Sequence, residues 1–188
     1  VPGPRLLTRG DATLQRALAR AVGDTFDCLS VDGCRSTNDT VLVLANGHAG
    51  AVDEYALTAA LTEVCGSLAE QMARDAEGAS KFVRVRVVGA RNTSEARTAA
   101  RAVANSQLVQ CSLNGGDAYW GRVLSELGAS GAFIDPERVD ISYNGVTVCR
   151  DGIACALDEA ALAQHMAGRE IELLCDLRLA HGEANVLT

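Results

Sequence analysis

A chain of 188 residues, 48% hydrophobic and 22% charged, has the length and composition for one globular core, or for one core with a smaller partner. A formal net charge of −7 argues against non-specific nucleic-acid binding, which needs clustered Lys and Arg, and 4% aromatic residues leave few platforms for stacking bases. No run of ~18 apolar residues is present to span a bilayer, and Val1–Gln15 lacks the basic and apolar regions of a secretory signal.

In chain order, the spacing of Leu14, Leu18, Ala21 and Val22 predicts a helix from about Thr13 to Thr25. Strands are expected near Cys28–Val31 and Thr40–Ala45. The second rests on Val41-Leu42-Val43-Leu44-Ala45, a run that reads as the inside of a sheet. Just before it, Ser36-Thr37-Asn38-Asp39-Thr40 sets five hydrogen-bonding side chains in a row. Cores admit such a cluster only when each group finds a partner, so it reads either as a buried network tying two strands or as part of a site lining. Asn46-Gly47 then turns the chain. A long helix follows over roughly Glu54–Ala76, capped by Asp53, with Leu57, Ala60, Leu61, Val64, Leu68 and Met72 as its apolar stripe and Gly78 as its C′ residue.

Lys81–Val88 alternates Val83, Val85 and Val87 with Arg84 and Arg86, the pattern of a strand with one wet face. Asn92-Thr93-Ser94-Glu95 opens a helix that turns Ala96, Ala99, Ala100 and Val103 inward. A strand is expected near Leu108–Leu113, and a short helix over Trp120–Leu127. Val139–Tyr143 and Val146–Cys149 flank Asn144-Gly145, a strong hairpin signal. Asp158 caps a helix ending at Gly168, Glu170–Ala180 reads as a long strand, and Ala184–Thr188 as the beginning of a return strand after a turn at His181-Gly182-Glu183.

The familiar catalytic patterns are missing: no GxSxG elbow, no HExxH and no P-loop. The seven cysteines contain no CxxC pair and read as reduced thiols in a cytoplasmic protein, with one or more disulfides as the rival reading, while His48, His165 and His181 do not stand at ligand spacing with them, so no metal is expected. His48 follows a turn and reads as a loop histidine, with a catalytic base as the rival reading. Asp75-Ala76-Glu77-Gly78 ends the long helix. Carboxylates there face the negative end of the helix dipole, an unfavourable placement of roughly 0.3–1 kcal/mol each. A polar helix end is one reading, and a site that needs a carboxylate is the other.

Five stretches then carry a resemblance: Ser36–Gly47, Asp75–Lys81, Asn105-Ser106 with Leu108-Val109, Trp120–Val123, and Val148-Cys149. In order and spacing, from Leu14 to Thr188, the chain resembles the β-chain of the ornithine acetyltransferases, the glutamate N-acetyltransferases of arginine biosynthesis. That resemblance implies a mixed α/β fold: a four-layer αββα sandwich like that of N-terminal-nucleophile hydrolases, completed by a separate α-chain cut from the same precursor, in an α2β2 heterotetramer. On this reading residues 1–115 belong to the sandwich and 116–188 to a further α/β region. It also implies a ping-pong transfer of acetyl from N2-acetylornithine to glutamate through an acetyl-threonine. A free α-amine can serve as base to its own hydroxyl, so such a site works without histidine.

The resemblance makes Glu77 a substrate ligand, suited to the ammonium of an amino acid. Asn38, Asp39 and Lys81 are candidates for the shell around the site. No catalytic residue is expected within these residues, because the family's nucleophilic threonine would fall just upstream of Val1 and its oxyanion donors on the α-chain. No cofactor is expected, with acetyl-CoA as a possible second donor; neither nucleic acid nor membrane is expected as a partner. Three departures accompany the likeness: the chain opens at Val1; the family continues past the position of Thr188 with a tail that carries an asparagine and a hydroxyl residue of the substrate site; and Asp117-Ala118-Tyr119 precedes Trp120-Gly121-Arg122 where the family usually has asparagine before the tryptophan. An amidase or aminopeptidase of the same architecture, and a non-catalytic homologous subunit, are the rival readings.

Overall fold

The computed structural model describes residues 12–34, 36–48 and 50–188. They form a mixed α/β structure with two compact units. One takes the residues up to Leu29 with Cys34–Met72; the other takes Ser30–Gly33 with Ala73–Thr188. None of the described helices is long and apolar enough to cross a membrane.

The first unit is built on two helices. α1 (Ala12–Asp24) buries Ala17, Leu18, Ala21 and Val22, the stripe its spacing predicts. A 3-10 turn, Phe26–Cys28, occupies the start of the first expected strand. α2 (Glu54–Arg74) begins where Asp53 Oδ1 accepts from the Ala56 amide at 2.9 Å, and Arg16 of α1 pairs with Glu54 at 2.5 Å. The face of α2 that is buried is not the expected one. Cys65, Ala69 and Ala73 are buried, while Val64, Leu68 and Met72 are about half exposed. Helix α2 is apolar most of the way round, and periodicity alone could not select its face.

The expected strand at Thr40–Ala45 is also absent. The segment has no regular structure, and Leu42 and Leu44 are 75% and 95% exposed. An apolar run becomes a strand only where a neighbour completes its ladder, and among the described residues none does. The polar row before it is likewise exposed rather than a buried tie between strands.

The second unit is a six-stranded sheet with helices against one face. β1 (Phe82–Ala90) is followed by α3 (Thr93–Asn105), α4 (Gln107–Asn114) and α5 (Trp120–Ala129). β2 (Asp140–Tyr143), β3 (Val146–Arg150) and β4 (Ile153–Ala154) form a meander, then α6 (Glu159–Ala167), β5 (Glu170–Asp176) and β6 (Gly182–Leu187) complete the unit. The strand order is β4-β3-β2-β5-β1-β6, with β1 and β5 parallel and every other pair antiparallel. Val83, Val85 and Val87 point into the core while Arg86 is exposed, as the alternation requires. Ala96, Ala99, Ala100 and Ala104 are buried on α3, and these small side chains let the helix lie close over β1 and β6. Asn144 (φ 48°) and Gly145 (φ 82°) give the hairpin turn the two left-handed residues its type requires.

Three expectations change here. Leu108–Leu113 is helical, because Ser106 Oγ accepts from the Val109 amide and starts α4 directly after α3. The long strand stops at Asp176, where Asp176 Oδ1 accepts from the Arg178 amide and Arg178 takes a positive φ of 48°. The sheet also draws β1 and β2–β6 from both sides of Gly116, so the expected division into 1–115 and 116–188 is not the one the sheet makes.

Candidate functional site

The acidic segment after α2 forms a tight loop. The Ala79 amide donates to the Ala76 carbonyl at 3.0 Å, and Gly78 takes a φ of +72°. Positive φ at the third position is the demand of a type II turn, and glycine meets it without strain. Gly78 is therefore a turn residue and not the helix C′ residue, since α2 ends at Arg74. Glu77 occupies the second position, at the tip. It is exposed, and no described residue pairs with its carboxylate.

Both ends of the loop are held. On the α2 side, Arg74 Nη1 lies 2.5 Å from Glu170 Oε1, and Arg169 donates to the Arg74 carbonyl. The Arg74 hydrogen bond holds the Glu170 carboxyl below the usual carboxylate range. On the β1 side, Ser80 Oγ donates to Asn114 Oδ1 at 2.8 Å, at the end of α4. Lys81 Nζ donates to three carbonyls, those of Met166 at 2.8 Å, Ala167 at 3.2 Å and Gly168 at 2.8 Å. Asn144 Nδ2 reaches the carbonyl of His165 at 3.0 Å, and the Phe82 amide reaches that of Arg169 at 2.8 Å. Five successive carbonyls, 165 to 169, are thus satisfied from outside the helix. Gly168 is extended (φ −60°, ψ 159°), so α6 has no left-handed stop and the lysine supplies its cap.

Glu77 and Lys81 therefore share one anchored loop. Asn38 and Asp39 belong to the first unit and form a local turn. Ser36 Oγ accepts from the amides of Asn38 at 3.1 Å and Asp39 at 2.8 Å; Thr37 Oγ1 donates to Asn38 Oδ1, and Thr40 Oγ1 to the Asn38 carbonyl. His48 is also in a loop, its amide donating to Asn46 Oδ1 at 3.0 Å.

The motif around Trp120 proves to be a packing device. Arg122 Nη1 donates to Ser112 Oγ at 2.6 Å and to the Leu108 carbonyl at 3.1 Å, and Ser106 Oγ to Glu126 at 2.8 Å, which ties α5 to α4. Tyr119 is exposed, with its ring folded over Gly121: a Cβ there would meet the ring at 2.9 Å. Sequence reading missed Arg74, Asn114, Asn144 and Glu170 as supports of the loop. The Arg74–Glu170 pair is separated by 96 positions, and no local pattern links such residues. Among the described residues no cluster of His, Cys, Asp and Glu could hold a metal ion. Cys175 is fully buried, and that burial pushes its thiol pKa up to about 12.

Comparison with known proteins places this geometry in context. The model of the ArgJ family matches residues 9–188. The chain is 42% identical over 176 residues to the arginine biosynthesis bifunctional protein ArgJ of Streptomyces coelicolor, covering 93% of this chain and 45% of that protein. It is 46% identical over 180 residues to the protein of that name from Symbiobacterium thermophilum, covering 92% of this chain and 45% of that one. The crystal structure of the arginine biosynthesis bifunctional protein ArgJ of Bacillus halodurans superposes with a TM-score of 0.90 at 31% identity, over 95% of this chain and 87% of that chain. The chain spans about half the length of the curated relatives it matches.

Proposed function

Since this chain belongs to the ArgJ family, we propose that it supplies the β-chain share of a glutamate N-acetyltransferase of arginine biosynthesis. The enzyme moves acetyl from N2-acetyl-L-ornithine to L-glutamate in the cytoplasm, and the site takes no cofactor beyond acetyl-CoA as an alternative acetyl donor. The rest of the protein is an α-chain released from the same precursor by self-cleavage. It completes an αββα sandwich and assembles with this part as α2β2.

The nucleophile is the threonine that the family resemblance puts just upstream of Val1. Its hydroxyl attacks the acetyl carbonyl of acetylornithine while its own α-amine takes the proton. The amide C–N bond breaks, ornithine leaves with that proton, and an acetyl ester remains. The amine of glutamate then attacks the ester, the threonine oxygen regains its proton, and N-acetylglutamate departs.

The observation that carries this reading within the chain is Glu77: an exposed carboxylate, paired with none of the described residues, at the tip of a turn anchored at both ends. An amino-acid substrate brings an ammonium, and a fixed carboxylate offers it a charge-assisted hydrogen bond. Asn38 and Asp39 serve as supports of the threonine on this reading, through the local turn that fixes their backbone.

The test is an acetyl-transfer assay on the native complex with labelled N-acetylornithine, with intact mass of both chains. Label appearing in N-acetylglutamate, with an acetylated β-chain trapped when glutamate is withheld, is the expected result. Release of label as acetate at a rate indifferent to glutamate would identify a hydrolase instead. An uncut chain without acetyl transfer would identify a non-catalytic homologue.

A further inference from the structure

The Asp75–Ser80 loop leaves and rejoins the fold at one place. Arg74, the last residue of α2, binds Glu170 and receives a hydrogen bond from Arg169. Seven residues later, Lys81 binds the carbonyls of Met166, Ala167 and Gly168, and the Phe82 amide binds that of Arg169. Residues 166–170, the junction of α6 and β5, hold both ends of the loop that carries Glu77. The third support, Ser80 to Asn114, comes from the end of α4.

The chemistry of the Lys81 anchor is specific. The last carbonyls of a helix lack intrahelical partners and carry the negative end of the dipole. An ammonium has three donors radiating from one atom and no acceptor, so it can serve three such carbonyls at once. Here it does so at 2.8, 3.2 and 2.8 Å. A neutral side chain of similar length would leave those carbonyls without the charge.

Resting on the reading of Glu77 as the carboxylate that binds the substrate's ammonium, we propose that Lys81 is a positioning residue that acts through Glu77. By clamping the end of α6 it fixes the base of the turn, and so the point in space at which Glu77 meets the substrate ammonium. Lys81 itself spends its donors on the protein and leaves none for substrate. Because the clamp governs placement of a binding carboxylate, its loss appears in substrate affinity and not in the bond-making step.

The test is a double-mutant cycle in the native complex, with KM for N2-acetylornithine, whose side-chain ammonium takes no part in the transfer, and kcat measured at saturating glutamate for Lys81→Met, Glu77→Gln and the double variant. Each single change is expected to raise KM about tenfold with kcat within about twofold, and the double change to do no more than Glu77→Gln alone. Additive effects in the double variant, or an unchanged KM in Lys81→Met beside a raised KM in Glu77→Gln, overturn the proposal while leaving the Glu77 reading intact. An unchanged KM in Glu77→Gln overturns the Glu77 reading itself. Where Lys81→Met does not assemble, Lys81→Gln, which keeps two donors, replaces it in the same cycle.

Discussion

The Arg74 guanidinium lies over the Phe82 ring, 4.0 Å from its centroid, while its Nη1 reaches Glu170 Oε1 at 2.5 Å. One side chain thus joins the end of α2 to the first residues of β1 and β5. The stacking is worth about 0.5–1 kcal/mol at such a partly exposed position. The ion pair is solvent-screened and adds a smaller, salt-sensitive part. Arg74→Ala is therefore expected to lower the urea midpoint near neutral pH. Arg74 lowers the Glu170 pKa, so the ion-pair part is present above the unfolded carboxylate value and is lost as pH falls through the lower folded one. The gap between wild type and Arg74→Ala should narrow as pH falls below the ordinary carboxylate range but not close, since the stacking survives protonation of Glu170. A gap indifferent to both pH and salt would mean that the pair contributes nothing.

Tyr143 is fully buried on β2, and its hydroxyl has no hydrogen-bond partner among the described residues. Burial pushes the phenol pKa up, so the group stays neutral. Tyr143→Phe removes an uncompensated polar atom and keeps the ring, and is expected to stabilise the fold by about 1 kcal/mol. A lower denaturant midpoint for the variant would show that the hydroxyl has a partner after all.

Two glycines should respond in opposite directions to alanine. A Cβ on Gly182, at the start of β6, would lie 2.3 Å from the carbonyl carbon of Asn92, the N-cap residue of α3. Backbone cannot yield there cheaply, so Gly182→Ala should cost at least about 2 kcal/mol. Gly128 on α5 has nothing within 4 Å of that position, and Gly128→Ala should stabilise by about 0.5–1 kcal/mol through helix propensity. Thermal melts of the two variants, run side by side, read the contrast directly; equal shifts would refute it.

Cys175 sits fully buried in the centre of the sheet, its thiol pushed from 9.0 up to about 12. A group whose folded pKa is raised holds its stabilising effect below the unfolded value and loses it as pH climbs toward the folded one. Alkaline unfolding should therefore set in between those two values, and Cys175→Ala or Cys175→Val should flatten that limb of the stability–pH curve. Under native conditions a thiol reagent should modify exposed Cys34 and Cys111 and spare Cys175 and Cys149, as mass mapping of the labelled chain would show.

Elements whose signals are local could be read from the residues alone. Period and caps located α1, α3 and α6, with Asn92 and Asp158 each accepting from the amide three residues on, and Asn144-Gly145 placed the β2–β3 turn. Alternation of valine and arginine assigned β1 its buried face. Family-like motifs pointed to Glu77, although spacing alone would have left it a polar helix end. The remaining features depend on partners remote in sequence. Thr40–Ala45 has a strand's composition but finds no ladder to join among the described residues, Leu108–Leu113 yields to the cap at Ser106, and helix α2 buries its cysteine–alanine face. The anchoring of the Glu77 turn belongs to the same class. Lys81 finds the end of α6, and Arg74 finds Glu170, only once the sheet brings β1 beside β5. A hydrogen bond between residues so far apart in the chain leaves no periodic trace, because its geometry is set by chain folding and not by neighbouring side chains.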